Sequence, residues 1–179
     1  RRPLRCEGGR GMKLMIASDI HGSARWCAEL VKAYEKEAPD KLLLLGDVLY
    51  HGPRNDLPEG YDPKAVIAML NPLKDKILCV RGNCEAEVDQ MVLDFPCMAD
   101  YAVVMLGGTT VIAAHGHREH PVPAPGEILV TGHTHIRLDE MENGFRHLNP
   151  GSVSLPKGGT PRGYIVMGED GSVRFMDLD

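Results

Sequence analysis

Short apolar runs that end in polar loops recur along the first half of the chain, and this alternation constrains the fold more than any other feature. Residues 13–17 (KLMIA), 42–47 (LLLLGD, apolar over 42–45) and 76–80 (KILCV) have the length of strands. Continuous apolar runs of this length are typical of strands buried on both faces of a sheet. Polar loops and helical patterns separate them, which predicts an α/β core whose loops gather at the carboxyl ends of the strands.

Two helices are predicted between these strands. Ser23 can cap a segment in which Trp26 and Leu30 recur at helical spacing. Asp62 stands before Pro63, and this pair is typical of the first residues of a helix. Both helices follow a polar loop, so each loop is fixed between a strand and a helix.

The second half of the chain is dominated by hairpin patterns. Residues 102–106 and 110–116 flank a Gly-Gly turn, and residues 164–168 and 173–178 form a closing pair around a second turn. Residues 127–133 (EILVTGH) predict one further strand. This half is expected to form antiparallel pairs.

The sequence predicts one domain over residues 12–179. At 43% hydrophobic residues the chain can build one core but is short for two. Residues 1–11 (RRPLRCEGGRG) have no hydrophobic period, and we expect a flexible extension or a cloning remnant there, with a transit peptide as the alternative.

Composition narrows the class of function. The net charge of -5 provides no basic field, so stable nucleic-acid binding is not expected. No apolar run approaches the roughly 18 residues of a membrane span. The five cysteines are odd in number and form no CxxC pair, which together with the lack of a secretory signal favours reduced thiols and a cytoplasmic location.

Polar residues with metal-binding chemistry follow the apolar runs directly. They are Asp19 and His21, Asp47, Asn83, His115 and His117, and His133 and His135. Residues two apart in extended chain project to the same side, so Asp19 and His21 can approach one point, as can His133 and His135. Carboxylate and imidazole together suit borderline divalent metals. Each cluster alone is weak evidence, but all of them occur in one small domain.

In this order, the motifs Asp-x-His, Gly-Asp, Gly-Asn-x-Glu, His and Gly-His-x-His resemble the calcineurin-like metallophosphoesterase superfamily. The segments SDIHGS, GDVLYHGPRN, LPEGY, VRGNCEAEVDQM, HGH, GHTH and NPGSVSLPKGG look like its small bacterial YfcE-type phosphodiesterase branch. The resemblance runs from about residue 12 to the C-terminus. It implies the metallophosphoesterase fold, a four-layer αββα sandwich of two mixed β-sheets flanked by helices, with a binuclear metal site on the loops.

The resemblance also implies a set of ligands. One metal would be held by Asp19, His21, Asp47 and His135, and the other by Asp47, Asn83, His115 and His133. Asp47 would bridge the two, and two cations roughly 3.5–4 Å apart need such an anionic bridge to offset their repulsion. We expect two divalent ions per chain, with Mn²⁺ ahead of Fe, Zn, Co and Ni.

The expected reaction is hydrolysis of a small phosphate diester by in-line attack of a metal-bridging hydroxide. The implied catalytic residues are Asp47, Asn83, Cys84 and His115. A phosphomonoesterase of the same fold and a non-catalytic metal-binding scaffold remain as alternatives, and homo-oligomerisation stays open. The sequence has neither a nucleotide phosphate-binding loop nor a Gly-x-Ser-x-Gly elbow, which argues against other phosphoryl and acyl-transfer chemistries.

Several neighbouring residues have two readings. Cys84 stands where many superfamily members have histidine; a thiol is a weaker proton donor, so we expect a preference for activated esters, or else a space-filling role. Arg54, Asn55, His51 and His117 are candidate substrate contacts, with structural roles as the alternative. Two further expectations are that Glu85 caps or orients the following helix and that the short, proline-rich segment 118–127 alters one wall of the pocket.

Overall fold

The computed structural model describes residues 11–178, in which ten strands form two five-stranded mixed sheets. The strands are β1 (Lys13–Ala17), β2 (Lys41–Leu44), β3 (Ile77–Cys79), β4 (Tyr101–Leu106), β5 (Thr109–Ala114), β6 (Ile128–Val130), β7 (Arg137–Glu142), β8 (Phe145–Pro150), β9 (Gly163–Gly168) and β10 (Val173–Asp177). Residues 1–10, which make up nearly all of the expected extension 1–11, lie outside the described residues, as does residue 179.

The first sheet contains the buried apolar runs of the first half. Its order is β10-β9-β1-β2-β3, with β1, β2 and β3 parallel and β9 and β10 added antiparallel. Because β1 to β3 run in one direction, their carboxyl ends lie at one edge of the sheet. The loops that carry the first three polar clusters therefore begin side by side.

The second sheet has the order β4-β5-β6-β8-β7, with parallel strands in the middle and antiparallel strands at both edges. The β4–β5 and β9–β10 hairpins were predicted, whereas the β7–β8 hairpin was not. Its turn is Asn143-Gly144, with both residues at positive φ (47° and 87°). An Asn-Gly turn of this kind is a strong signal for a hairpin.

Buried apolar side chains form a layer on each face of the first sheet, and one of these layers holds the two facing sheets together. Between them lie side chains such as Ile16, Leu43, Val111, Val130 and Leu148, all 0% exposed. Burial of each such side chain contributes about 1.5–3 kcal/mol before entropy is counted, so the facing sheets form a rigid base for the loops at their ends.

Helices cover the outer face of the first sheet. α1 (Ala24–Glu37), α2 (Pro63–Leu70) and α3 (Glu87–Val92) are the α-helices of residues 11–178, and a 3-10 helix (Asn71–Lys76) follows α2. The predicted caps are confirmed: the Ser23 hydroxyl accepts the Trp26 N–H, and the Asp62 carboxylate accepts the Ala65 N–H. Within the described part of the chain, no helix is both long and apolar enough to cross a membrane.

The outer face of the second sheet is covered differently. Ile112, Leu129 and Phe145 form a small buried cluster there. The proline-rich segment 118–127 is attached to β8 and its turn, since the Gly126 N–H donates to the Gly144 carbonyl and the Arg146 N–H to the Glu127 carbonyl. The expected sandwich of two mixed sheets is therefore present. In residues 11–178 helices cover the outer face of the first sheet, and irregular chain lies beside the outer cluster of the second.

Candidate metal centre

The candidate ligands lie on loops at the ends of strands from both sheets. Asp19 and His21 follow β1, Asp47 follows β2, Asn83 follows β3, His115 follows β5, and His133 and His135 lie between β6 and β7. The loops are joined by backbone hydrogen bonds, as from the Asp19 N–H to the Gly46 carbonyl and from the Gly132 N–H to the His115 carbonyl. Residues far apart in sequence are thus held at one edge of the sandwich.

Most of these residues have an unusual backbone conformation. The ligand candidates at positive φ are Asp19 (57°), His21 (50°), Asp47 (54°), His133 (66°) and His135 (61°). Elsewhere in residues 11–178, Ala38 and Asn143 are the only other non-glycine residues in that region. The left-handed conformation costs an L-residue about 1–2 kcal/mol, and such strain is concentrated at functional sites.

Asp19, His21 and His135 form the first group of ligand atoms. Asp19 Oδ1 lies 3.2 Å from His135 Nε2 and 3.5 Å from His21 Nε2, and the two Nε2 atoms are 3.1 Å apart. Within residues 11–178, this buried oxygen has no hydrogen-bond partner. A buried carboxylate oxygen without a partner, surrounded by imidazole nitrogens, fits a bound cation.

Backbone carbonyls fix the orientation of the imidazoles. Nδ1 of His21 donates to the Tyr50 carbonyl (2.9 Å), and Nδ1 of His135 donates to the Leu155 carbonyl (2.7 Å). A carbonyl can only accept, so the proton sits on Nδ1 and leaves Nε2 free to bind a metal. This outer hydrogen bond is the usual partner of a metal-binding histidine.

Asp47 lies between the first group and a second one. Its Oδ2 is 3.6 Å from His21 Nε2 and 3.5 Å from His115 Nε2. Asn83 Oδ1 completes the second group, at 3.1 Å from His115 Nε2 and 2.8 Å from His133 Nδ1. Asp19, His21 and His135 could hold one ion, and Asp19, Asp47 and His115 bring ligand atoms equally close together. The arrangement suits two adjacent cations with a carboxylate between them.

The electrostatics of the centre favour cations. Burial raises the pKa of Asp19, but the imidazoles of His135, His21 and His115 lower it more, so the pKa is well below its usual range. Burial also raises the pKa of Asp47, but His115 lowers it more, so the pKa is below its usual value. Burial lowers the pKa of His115, yet Asp47 and Asp19 raise it to about 9. Without a metal the centre holds protons, which a metal must displace.

The Glu85 carboxylate holds the backbone around Asp47 in place. Its Oε2 accepts the N–H groups of Asp47 (2.9 Å) and Gly82 (2.5 Å), and its Oε1 accepts the Val48 N–H (2.7 Å). The expectation that Glu85 caps the next helix is wrong, because the Asp89 carboxylate accepts the Ala86 N–H there. Burial and the charge of Asp47 raise the pKa of Glu85 to about 7, against the opposing effect of these hydrogen bonds.

Asp19 is supported by residues that the sequence did not single out. The Ser18 hydroxyl donates to Asp19 Oδ2 (2.5 Å), which also accepts the His133 N–H (3.0 Å). The Ser152 hydroxyl donates to the Asp19 carbonyl (2.7 Å). A side chain on Gly132 would not fit, since its Cβ would lie 2.0 Å from Ser18 Oγ. These contacts join the first ligand loop to the GHTH loop.

The open side of the centre is a cavity of about 350 Å³ that contains part of the predicted site. Its lining residues are Asp47, Arg54, Asn55, Asn83, His133, Thr134, His135 and Lys157. Arg54 and Asn55, two of the candidate substrate contacts, therefore line the cavity, and Lys157 is a further lining residue that was not predicted. Lys157 is held by its backbone N–H, which donates to the His135 carbonyl (3.0 Å).

The other secondary candidates lie around this cavity. The His51 ring packs between Tyr50 and Tyr61, with centroids 4.7 and 5.2 Å apart. The His117 ring lies 5.2 Å from that of His115, and burial, followed by the charge of His115, lowers the pKa of His117. Neither ring lines the cavity, so direct substrate contact by these two histidines has no support in the geometry.

Cys84 contacts the Asp47 carboxylate through its backbone. Its N–H donates to Asp47 Oδ1 (2.9 Å), and its Sγ accepts the Asn83 side-chain amide (3.3 Å). Burial, and then the negative charge of Asp47, raises the pKa of the thiol far above its usual value. The thiol is consequently protonated at neutral pH.

Comparisons with known proteins agree with this geometry. The model of the calcineurin-like phosphoesterase superfamily domain matches residues 12–171. Phosphodiesterase YfcE of Escherichia coli (strain K12) is 45% identical over 163 residues, which cover 89% of each chain. The solved structure of YfcE, a phosphoesterase from E. coli, has a TM-score of 0.89 at 43% identity and covers 94% of each chain. Probable metallophosphoesterase YsnB of Bacillus subtilis (strain 168) is 23% identical over 182 residues, covering 93% of this chain and 91% of YsnB.

Proposed function

The chain belongs to the calcineurin-like phosphoesterase superfamily, and on that premise we propose that it is a divalent-metal-dependent phosphodiesterase acting on small phosphate diesters. The observation that carries this proposal is the position of Asp47, whose Oδ2 lies 3.6 and 3.5 Å from imidazole nitrogens of two different ligand groups. A carboxylate in that position can hold two cations together. The phosphodiesterase activity named for YfcE, at 45% identity, supports the same reaction class.

The proposed ligand sets follow the two groups of side chains. Asp19, His21, Asp47 and His135 would hold one ion, and Asp47, Asn83, His115 and His133 the other. The buried, unpartnered Oδ1 of Asp19 supports the first set, since residues 11–178 offer it no other partner. When bound, two divalent cations supply Lewis acidity and a water of lowered pKa. Mixed imidazole and carboxylate ligands suit Mn²⁺, which we propose ahead of Fe, Zn, Co and Ni.

The chain's own residues orient the reaction. Asp47 is kept ionised by its low pKa and is held in place by Glu85, whose carboxylate accepts the Asp47 N–H. Arg54 and Asn55 line the open side of the cavity, where a phosphate oxygen or an ester arm would lie. Cys84 carries a protonated thiol of raised pKa, so it can donate a hydrogen bond but is a poor acid. We therefore propose that leaving groups which depart as stable anions, such as aryl oxides, are preferred.

A metal-depletion experiment tests the proposal. Chelator-treated protein should not hydrolyse bis-p-nitrophenyl phosphate, and added Mn²⁺ should restore turnover. Assays in parallel with p-nitrophenyl phosphate separate the diesterase from a monoesterase. If none of Mn²⁺, Fe²⁺, Zn²⁺, Co²⁺ and Ni²⁺ restores hydrolysis of either ester, the enzymatic proposal is wrong.

A variant of the bridging carboxylate tests the ligand assignment. Asp47→Asn keeps the shape of the side chain but removes the shared charge, and we expect kcat/KM to fall at least about 10³-fold, since about 4 kcal/mol of stabilisation corresponds to that factor. Asp75→Asn is a matched control, because Asp75 is exposed and lies in the 3-10 helix away from the ligand loops. Wild-type turnover of Asp47→Asn would contradict the assignment.

A further inference from the structure

A second cavity adjoins the metal centre. It measures about 240 Å³ and is lined by Arg54, Asn55, Asp56, Leu155, Pro156 and Lys157. Arg54, Asn55 and Lys157 also line the cavity at the metal centre. These three residues therefore form a shared border between the place where a phosphate would bind and a second space, which has the volume of about eight waters at ~30 Å³ each.

The border carries two cations that no acid neutralises. Neither Arg54 nor Lys157 forms an ion pair with a carboxylate anywhere in residues 11–178, although Asp56 lines the second cavity. The Lys157 ammonium instead lies 3.5 Å from Asn55 Oδ1. The chain as a whole has a charge of -5, so this positive border is a local feature.

The backbone holds the border in a fixed position. The Lys157 N–H donates to the carbonyl of His135, a candidate metal ligand, and the Asn55 side-chain amide donates to the His51 carbonyl (2.8 Å). The backbone of Lys157 and the side chain of Asn55, which adjoins Arg54, are therefore attached to the loops that follow β6 and β2. Such an arrangement suits recognition of a charged group at a set distance from the reacting phosphate.

We infer that the second cavity binds the retained ester arm of the diester, and that Arg54 and Lys157 select an arm that itself carries a negative charge, such as a phosphate or carboxylate. This inference rests on the proposed phosphodiesterase function. Among residues 11–178, Asp56 is the only acid that lines this cavity, and two cations outweigh it. An uncharged arm can still enter the cavity but gains nothing from the two cations.

A pair of substrates that differ by one negatively charged group on the retained arm tests the inference, and the salt dependence separates the effect of its charge from that of its size. Thymidine 5′-(p-nitrophenyl phosphate) is compared with the same compound bearing a 3′-phosphate, using the full chain with Mn²⁺ at low ionic strength. We expect the 3′-phosphorylated compound to have the higher kcat/KM by about five- to tenfold, as one charge interaction at a solvated site allows. The gain should appear in KM rather than in kcat, and it should decline as salt is added.

Variants of the border identify the residues responsible. Arg54→Gln and Lys157→Gln should each lower the ratio of the two kcat/KM values about threefold, and the double variant should bring it close to one. Lys64→Gln is the matched control, since Lys64 is exposed on α2 and lines neither cavity. A wild-type ratio of one, or a ratio that the double variant leaves unchanged, would overturn the inference.

The two proposals fail in different ways. If bis-p-nitrophenyl phosphate is hydrolysed in the presence of metal but the charged arm brings no advantage, the inference about the second cavity alone is wrong. If bis-p-nitrophenyl phosphate is not hydrolysed with any metal, the proposed function is wrong as well.

Discussion

Gly132→Ala should damage the metal centre through a single added methyl group. The new Cβ would lie 2.0 Å from Ser18 Oγ and 2.8 Å from Asp19 Oδ2, whereas real contacts of this kind stay above about 3.0 Å. The backbone conformation at position 132 does not itself require glycine, because φ there lies outside the positive region. The effect of the substitution is therefore one of space.

The surroundings of Gly132 leave little room for relaxation. Its N–H donates to the His115 carbonyl (3.0 Å), and its carbonyl accepts the Asn149 side-chain amide (2.8 Å). Ser18 must move instead, by about 1 Å or more, which breaks its hydrogen bond to the Asp19 carboxylate. Overpacking costs about 1–3 kcal/mol and a buried bond to a charged group about 1.5–3 kcal/mol, so we expect a loss of roughly 3–5 kcal/mol.

Two measurements check this expectation. Urea unfolding of the metal-free protein should show the loss of stability, and titration with Mn²⁺ should show weaker binding, because Asp19 is displaced. Gly108→Ala is the control, since a Cβ there meets nothing within 4 Å. If Gly132→Ala unfolds within about 1 kcal/mol of Gly108→Ala and binds Mn²⁺ equally well, the close contact between the two ligand loops does not exist.

Two further predictions concern Cys84 and His115. Cys84→His should raise kcat/KM for alkyl esters relative to aryl esters about tenfold or more, because an imidazolium can protonate a poor leaving group. The control Cys84→Ser should keep the wild-type ratio of the two kcat/KM values. An unchanged ratio in Cys84→His would mean that Cys84 serves only to fill space. In metal-free protein the pKa of His115 is raised to about 9 from 6.5, a difference of about 2.5 units that is worth about 3 kcal/mol. Since this pKa is raised on folding, its stabilising contribution is complete below pH 6.5 and is lost as the pH rises through 9. Glu85, whose pKa is raised to about 7, adds a decline of its own in both proteins, so urea unfolding from pH 7 to 9 should show a steeper decline in the wild type than in His115→Gln; equal slopes would contradict this prediction.

The sequence predicts those parts of the fold that depend on local pattern. β1 has the predicted bounds because a continuous apolar run has few alternatives, whereas β2 ends three residues before the predicted end at 47, where the polar ligand loop begins. The caps at Ser23 and Asp62 follow from local hydrogen bonding. The β7–β8 hairpin was missed because β7 (RLDEME) is largely polar and exposed. Its Asn143-Gly144 turn was the available signal.

The candidate metal centre likewise has parts that the sequence predicts and parts that it does not. Residues with metal-binding chemistry, such as Asp19 and His135, could be picked out because they stand in recognisable motifs directly after apolar runs. Glu85 and Ser152 act through contacts with backbone groups 38 and 133 residues away, and no local pattern encodes those contacts. Lys157 likewise reaches the cavity only because its loop is bonded to His135.

The left-handed backbone conformation at five candidate ligands costs stability at positions whose side chains the proposed activity needs. Glycine adopts that conformation without the steric cost, so at the partly buried His133 the change His133→Gly would relieve about 1 kcal/mol of strain while removing an imidazole. At His135 the loss of a buried imidazole and of its hydrogen bond to the Leu155 carbonyl offsets this gain. A laboratory evolution experiment that rewards heat resistance in the presence of a chelator would therefore enrich glycine at position 133 and produce more stable but inactive proteins. Engineering of a more durable enzyme from this chain should leave those five positions fixed and look for stabilising changes elsewhere.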